Sequence, residues 1–227
     1  TPRTIYEDPE GWIVRDLVPG EVWPDGLRQR LLADPDRARR MGADIGAILA
    51  EQHTRIRRKD IEGWLPSAPD WPRAIDLPHL PNIVGDAALL ARIDAALARY
   101  DTMAAETDDV VLAHADLGFH NIAVEPGTDR LMGVFDYDGA IAGDRYHDFK
   151  YLFLGDDDST LLDAAATAYE PLAGVTIDLS RVRLFHAVAA IAFLAHRNGH
   201  APEELWCGRT LDQDLAWTGQ ALGAAGF

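Results

Sequence analysis

The chain has 227 residues, 48% of them hydrophobic, which is enough apolar material for one large domain or two small ones. Its formal net charge of −16 argues against a nucleic-acid partner, because a nucleic-acid backbone is itself negative, and weakly favours a cationic one. The apolar windows are too short for a bilayer and no signal peptide opens the chain, so a cytoplasmic protein without membrane contact is predicted.

The first predicted elements are two strands, "RTIYE" and "WIVRDL", joined by a turn at "DPEG". Because the chain starts at Thr1 in the middle of a hairpin, we expect that an amino-terminal part precedes it. Asp34 as N-cap and Pro35 at the first helical position, followed by an apolar face, predict a helix over residues 35–56. Five prolines and two tryptophans predict an irregular excursion over residues 57–85.

A second helix is predicted from Asp86 to Tyr100 by apolar periodicity. Three short strands follow, "VVLAH", "NIAVE" and "LMGVFD", with a hairpin turn at "PGTDR". Further helices are expected near residues 146–154, 160–170, 180–197 and 209–223. The fold class is therefore α+β, mainly helical, with a small β island. The single cysteine, Cys207, excludes an internal disulfide, agrees with a reducing compartment, and is expected to be a small apolar side chain near a helix.

The loop "HADLGFHN", residues 114–121, has more chemical groups than a simple turn needs. Asp116 and Asn121 lie on this loop, and Asp136 ends the strand that follows the hairpin, so the hairpin brings them together. Amide and carboxylate oxygens from Asn121 and Asp136 suit Mg²⁺. Asp116 beside the metal would accept a proton from an attacking hydroxyl. These are the minimum groups for phosphoryl transfer.

The same spacing resembles a known pattern, H-x-D-L-x-x-x-N, the catalytic loop of kinases, with a metal-binding aspartate further along the chain. The resemblance is to the aminoglycoside phosphotransferase and choline-kinase branch of the kinase-like fold. Its "HGDLxxxN", "IDW" or "IDF", and "GD…D" elements correspond here to "HADLGFHN", "GVFDYDGA" and "GDRYHDFKYL". Upstream, "WIVRDLVPGEVW" is similar to the family's hinge and "GAILAEQH" to one of its helices.

This resemblance implies an ATP-dependent (or GTP-dependent) phosphotransferase that acts on a hydroxyl of a small molecule, with aminoglycoside-like or other antibiotics as the leading substrate class. It implies that Asp116 is the catalytic base or the residue that orients the acceptor hydroxyl, and that Asn121 and Asp136 hold Mg²⁺ on the nucleotide phosphates. His114 would support catalysis by bracing the loop together with Asp148, although His114 also fits an ordinary core histidine. The remaining implied contacts are of adenine with the hinge backbone (Asp16, Leu17 and Val18) and of substrate amines with acidic residues (Asp156, Asp157 and Asp158). This acidic run also fits an ordinary solvated approach to a helix.

The resemblance also implies a domain division. Residues 1–25 would be hinge strands and a linker from an absent amino-terminal lobe, and residues 26–227 the carboxy-terminal lobe of a kinase-like fold. Within that lobe, the catalytic core would occupy residues 108–155, and the helical subdomain residues 57–107 and 156–227.

The sequence departs from the family in two respects. A glycine-rich loop and a phosphate-pairing strand lysine are missing, and the only two lysines, Lys59 and Lys150, lie outside any position of an amino-terminal lobe. The chain by itself is therefore expected to have little phosphotransferase activity. An alternative is a non-catalytic binding module, and a metal-dependent hydrolase would need more ligands than this loop provides. Ala115 replaces the usual glycine, which the loop is expected to tolerate.

Some polar residues keep two interpretations. Asp144 and Asp148 also fit caps of the following helix, and Asp138 fits a second neighbour of the metal or a solvated turn. His196 and His200 have a metal-ligand spacing, but Asn198-Gly199 is expected to end their helix first. Oligomeric state stays open.

Overall fold

The computed structural model describes residues 4–7, 9–10, 13–22, 24–67, 77–106, 109–155 and 158–227. Strand β1 (Thr4–Glu7) pairs antiparallel with β2 (Ile13–Arg15), which confirms the predicted pair of strands. A two-residue strand that the sequence did not predict, β3 (Glu21–Val22), follows. The predicted domain boundary at residue 25 stays a prediction.

Helices α1 (Leu27–Ala33) and α2 (Pro35–Arg55) begin the helical body. The Asp34 side chain accepts a hydrogen bond from the backbone N–H of Arg37 at 3.0 Å, as expected for the N-cap of α2. Helix α2 packs closely on α6 (Thr160–Ala173). A Cβ added to Gly42 or Gly46 would lie 2.3 or 2.1 Å from a backbone oxygen of α6, so the two glycines permit this contact.

The excursion after α2 contains two short helices, α3 (Arg58–Ile61) and α4 (Leu80–Ile83), with a 3₁₀ turn at Leu77–His79. Helix α5 (Ala87–Glu106) then runs past the predicted end at residue 100. Helices α7 (Leu179–Ala195) and α8 (Leu211–Ala224), like α6, agree with their predictions to within a few residues at each end. Fully buried apolar side chains from α2, α5, α6 and α7 form one core.

The predicted strands are confirmed as β4 (Val110–Ala113), β5 (Ile122–Val124) and β6 (Leu131–Val134), but they belong to two separate sheets. Strand β4 pairs antiparallel with an unpredicted strand, β7 (Ile141–Asp144). Strand β5 lies between β3 and β6. Strand β3, with two residues, is too short for an alternating pattern to show in the sequence.

The β5–β6 hairpin is tied to the helical body by Asp129, which is 2% exposed. Its carboxylate accepts hydrogen bonds from Arg30 at 2.8 and 3.0 Å and from Arg37 at 2.6 Å. The hydrogen bond from Arg30 is the main reason that the pKa of Asp129 lies below its usual range. This clamp fixes the hairpin, and the predicted site residues Asn121 and Asp136 lie just before and just after it.

One sequence prediction is wrong. Residues 146–154 do not form a helix: a 3₁₀ turn at Arg145–His147 leads into turns whose backbone bonds join residues three apart, such as Leu152 N–H to Phe149 C=O. Cys207, predicted to be a small side chain near a helix, lies shortly before α8, where it is exposed in a turn between Trp206 and Arg209 with φ of 48°. In the described part of the chain, no helix has the length and apolarity needed to cross a membrane.

Candidate active site

The loop between β4 and β5 brings the predicted catalytic residues together. Ile122 pairs with Val134 across β5 and β6, and the backbone N–H of Phe135 donates to the carbonyl of Asn121 at 3.1 Å. This register places Asn121 opposite the end of β6, beside Asp136. The hairpin therefore has the effect expected from the sequence: it joins the loop of Asp116 and Asn121 to Asp136.

His114 is completely buried behind this loop. Its Nδ1 accepts from the backbone N–H of Asp116 at 3.3 Å, so the ring proton is on Nε2, which donates to the carbonyl of Phe135 at 2.8 Å. The ring also contacts Tyr137, with 4.5 Å between centroids. His114 thus joins the loop to the end of β6 and is well placed to brace it.

Asp148 holds the loop from beneath. It is fully buried, and its two oxygens accept the backbone N–H groups of His114 at 3.1 Å and Ala115 at 2.8 Å. Nε2 of His53, on α2, lies 3.0 Å from the same carboxylate. Burial opposes ionisation, but the hydrogen bond from His53 and the two backbone donors outweigh it and lower the pKa of Asp148. Asp148 therefore binds the loop instead of capping a helix.

A buried hydrogen-bond chain supports Asp148 from behind. Arg145 pairs with Asp109 and donates to the hydroxyl oxygen of Tyr169. The Tyr169 hydroxyl lies 2.9 Å from Nδ1 of His53. Because Arg145 donates to that oxygen, the Tyr169 proton points to Nδ1, which leaves the Nε2 proton of His53 for Asp148. Sequence reasoning missed His53, although it ends the "GAILAEQH" segment that carried part of the resemblance.

Lys150 is a second buried support that sequence reasoning missed. Its ammonium donates to the carbonyl of Ala115, the residue whose N–H is held by Asp148. Ala115 has φ of 67°, in the left-handed region that disfavours residues with a Cβ. Burial lowers the pKa of Lys150 to about 8, against the opposing charges of Asp148 and Asp116. Both sides of the Ala115 residue are therefore fixed in the conformation that turns the chain toward Asp116.

Asp116 is half-exposed at the surface of the loop, where solvent and ligands reach it. Its Oδ2 lies 3.1 Å from Nε2 of His120 and 3.2 Å from Nδ2 of Asn121, and the Asn121 amide also donates to the Asp116 carbonyl at 2.9 Å. Burial opposes ionisation, but the hydrogen bond from His120 and its charge outweigh burial and lower the pKa of Asp116. Asp116 is thus held as a carboxylate.

Asn121 and Asp136 present oxygens suited to a cation. Because Nδ2 of Asn121 is used by Asp116, its Oδ1 is the amide atom left to face a ligand. Asp136 is exposed and has a left-handed backbone, with φ of 64°. An amide oxygen and a carboxylate are ligands that Mg²⁺ accepts. Among the described residues, no group of three or more His, Cys, Asp or Glu side chains could hold a metal alone, so additional oxygens would have to come from a ligand.

A comparison of the sequence with models of protein families agrees with this geometry. A family model described as the phosphotransferase enzyme family matches residues 2–185. The chain belongs to this family.

Solved structures of phosphotransferases have the same fold. The GDP complex of a mutant aminoglycoside 2′-phosphotransferase-IIIa has a TM-score of 0.62 and 17% identity, over 99% of this chain and 72% of that chain. The ADP-bound aminoglycoside phosphotransferase APH(2″)-Ib has a TM-score of 0.60 and 17% identity, over 100% and 77%. The apoenzyme of a macrolide 2′-phosphotransferase from Brachybacterium faecium has a TM-score of 0.57 and 20% identity, over 99% and 73%. A comparison with curated proteins gives no match. These similarities confirm the mainly helical, kinase-like α+β fold.

In this phosphotransferase, the predicted hinge segment lies against the sheet that leads to Asp136. Val18 is buried, and a Cβ on Gly133 of β6 would lie 2.7 Å from its Cγ1. Leu17 is 87% exposed, and Asp16 is partly buried. The role of these three residues toward adenine stays a prediction.

The predicted acidic substrate site is described only in part, because Asp156 and Asp157 lie outside the described residues. Asp158 is partly buried, and its Oδ1 accepts the backbone N–H of Thr160 at 2.9 Å, at the start of α6. His200, one of the two histidines with metal-like spacing, has its Nδ1 2.9 Å from Glu204 Oε1. Helix α7 ends at Ala195 with His196 as its C-cap, so the two histidines do not share a helix, as the Asn198-Gly199 signal indicated.

Proposed function

We propose that this phosphotransferase transfers the γ-phosphate of ATP or GTP to a hydroxyl group of a small molecule. The observation that carries the proposal is the Asp116 carboxylate, half-exposed on a loop whose backbone is fixed by Asp148 and Lys150. A fixed carboxylate within reach of a bound hydroxyl orients it and accepts its proton as the oxygen attacks phosphorus. Phosphoryl transfer requires mainly this positioning together with charge neutralisation.

The nucleotide would lie between the hinge segment and the end of β6. Asn121 and Asp136 would hold Mg²⁺ there, and the ion, when bound, would neutralise charge on the phosphates. Residues Asp16, Leu17 and Val18 would meet the adenine or guanine base. We expect measurable Mg²⁺ binding only when nucleotide is present. Magnesium gives up its waters reluctantly, and two protein ligands without phosphate oxygens are too few to bind it tightly.

The acceptor class is proposed from charge and from the relatives. The net charge of −16 favours a cationic acceptor. Among structures with this fold are a kanamycin complex and a spectinomycin complex of phosphotransferases, at 18% and 15% identity. We therefore propose an amine-bearing antibiotic, in the cytoplasm, with Asp156, Asp157 and Asp158 near its amines.

The test compares two variants of the full-length protein. Turnover of ATP and GTP is first measured with a panel of aminoglycosides and macrolides, and transfer is confirmed by mass spectrometry of the acceptor. Asp116→Asn should lower kcat and leave nucleotide affinity nearly intact, since it removes the proton acceptor and keeps the size of the side chain. Asp136→Asn should weaken Mg²⁺-nucleotide binding as well, since it removes the charge facing the cation.

A second function, a non-catalytic binding module, follows from the lysines. Lys150 is buried beneath the loop and Lys59 is exposed on α3, so neither lies where a strand lysine would pair with phosphates. Unchanged turnover in Asp116→Asn would contradict the proposed reaction. Tight binding of an antibiotic without phosphate transfer by the wild type would favour the binding module.

A further inference from the structure

His120 occupies a position on the catalytic loop that the reaction proposed above does not explain. Its side chain is 40% exposed, and its Nε2 lies 3.1 Å from Oδ2 of Asp116, four residues earlier. The Asn121 amide donates to the same oxygen at 3.2 Å. Among the described residues, Oδ1 of Asp116 accepts no hydrogen bond. The two donors therefore distinguish the carboxylate oxygens: Oδ2 is held by the loop, and Oδ1 is left for a ligand.

The loop has a specific adaptation to the imidazole of His120. A Cβ added to Gly118 would lie 2.6 Å from Cε1 and 2.7 Å from Nδ1 of His120, closer than such atoms approach in real structures. Gly118 has φ of −107°, which any residue adopts, so backbone conformation is not the reason for a glycine here. The absence of a Cβ at Gly118 leaves the space that the His120 ring occupies as it reaches Asp116.

We propose that His120 is a positioning residue that fixes the Asp116 carboxylate by donating to Oδ2, so that Oδ1 faces the acceptor hydroxyl. A carboxylate on a single rotatable χ2 bond presents either oxygen when nothing holds it. With Oδ2 bonded to His120 and Asn121, the rotation is stopped and one acceptor atom is presented in one direction. This inference rests on the proposed phosphotransferase reaction with Asp116 as its base.

The test separates the hydrogen bond from the presence of the side chain. In the full-length protein, His120→Leu removes the donor, whereas His120→Gln places an amide nitrogen near the former Nε2. Gly118→Ala keeps the imidazole and displaces it from Asp116. We expect His120→Leu and Gly118→Ala to lower kcat by about 10- to 100-fold with little change in nucleotide KM, because the base is misplaced and not removed. His120→Gln should recover most of the wild-type kcat.

Matched controls come from the same chain. His200 makes the same kind of exposed histidine–carboxylate pair with Glu204, and a Cβ on Gly85 would meet nothing within 4 Å. His200→Leu and Gly85→Ala should keep the wild-type kcat. Thermal unfolding of all variants shows whether a loss of kcat is a loss of folded protein, since a purely structural role would lower the melting temperature in parallel.

The outcomes are distinct for the two proposals. The positioning role is overturned if His120→Leu keeps the wild-type kcat, or if His120→Gln is as impaired as His120→Leu. In either case the proposed reaction stands as long as Asp116→Asn is inactive. Absence of phosphate transfer by the wild type overturns the proposed reaction, and the positioning role falls with it. Loss of kcat in His120→Leu and Gly118→Ala, with rescue by glutamine and unchanged controls, supports both.

Discussion

Replacing Asp148 by asparagine should be the most damaging single-atom change in the supports of the loop. The carboxylate accepts three hydrogen bonds, from two backbone N–H groups and from His53, and is fully buried. Asparagine keeps one acceptor oxygen and turns an NH₂ group toward at least one of these donors. Stranding a buried donor and the new NH₂ costs about 1–3 kcal/mol each, so we expect a loss of about 2–6 kcal/mol.

The measurement is urea denaturation followed by circular dichroism, with amide hydrogen exchange of His114 and Ala115 as a local readout. The matched control is Asp178→Asn: Asp178 caps α7 by accepting the backbone N–H of Ser180 at 2.8 Å, and asparagine caps a helix about as well as aspartate. A loss below about 1 kcal/mol in Asp148→Asn, the size of an ordinary surface change, would refute the reasoning. Unchanged exchange of the two amides would refute it independently.

Three further outcomes are expected. Ala115→Gly relieves a left-handed backbone and should raise the free energy of unfolding by up to about 1 kcal/mol in urea titrations, with destabilisation as the contradicting result. Asp129→Asn should lower the free energy of unfolding by about 3 kcal/mol because it breaks a buried clamp. Asp44→Asn, at an exposed arginine pair, should lower it by under about 1 kcal/mol, and equal losses in the two variants would contradict this reasoning. Burial lowers the pKa of His147 to about 3, so between pH 6.5 and 3 the unfolded chain binds a proton that the folded chain does not. Stability should therefore fall with falling pH by up to about 1.4 kcal/mol per unit, and His147→Leu, compared at pH 7, 6 and 5, should lose that part of the dependence; an unchanged slope would argue against a neutral buried imidazole.

The sequence was sufficient for the parts of the fold that depend on local pattern. The helix over residues 35–55 carries its own cap and apolar face, so its bounds were predicted almost to the residue. The convergence of Asp116, Asn121 and Asp136 also followed from local features, since a hairpin turn between two short strands returns the chain to its start. Strand β7 has no such signal, because its pairing with β4 is decided by residues about thirty positions away.

The residues that support the site from beneath could not be predicted from the sequence, for a different reason. His53 acts through Asp148, 95 residues away, and a histidine at the end of an amphipathic helix has no feature that indicates a partner so distant. Lys150 lies in a segment predicted to be helical, where a lysine is ordinarily a surface residue. In the structure, this segment forms a run of turns in place of the predicted helix. These turns bring the Lys150 ammonium beneath the loop.

The two buried charges beneath the loop explain why alanine is tolerated at position 115. Asp148 holds the N–H of Ala115 and Lys150 holds its carbonyl, so two charge-assisted hydrogen bonds, each worth about 1.5–3 kcal/mol, together offset the strain of about 1–2 kcal/mol that a Cβ adds there. Lys150 itself is destabilising at neutral pH. Its folded-state pKa of about 8 lies below the unfolded value, so stability rises as pH increases from about 8 toward 10.5, and the full burial penalty applies below pH 8. A fold selected for stability alone would not place an ammonium there. Its position under the residue that precedes Asp116 agrees with the proposed role of that carboxylate, which requires it to be held in one place.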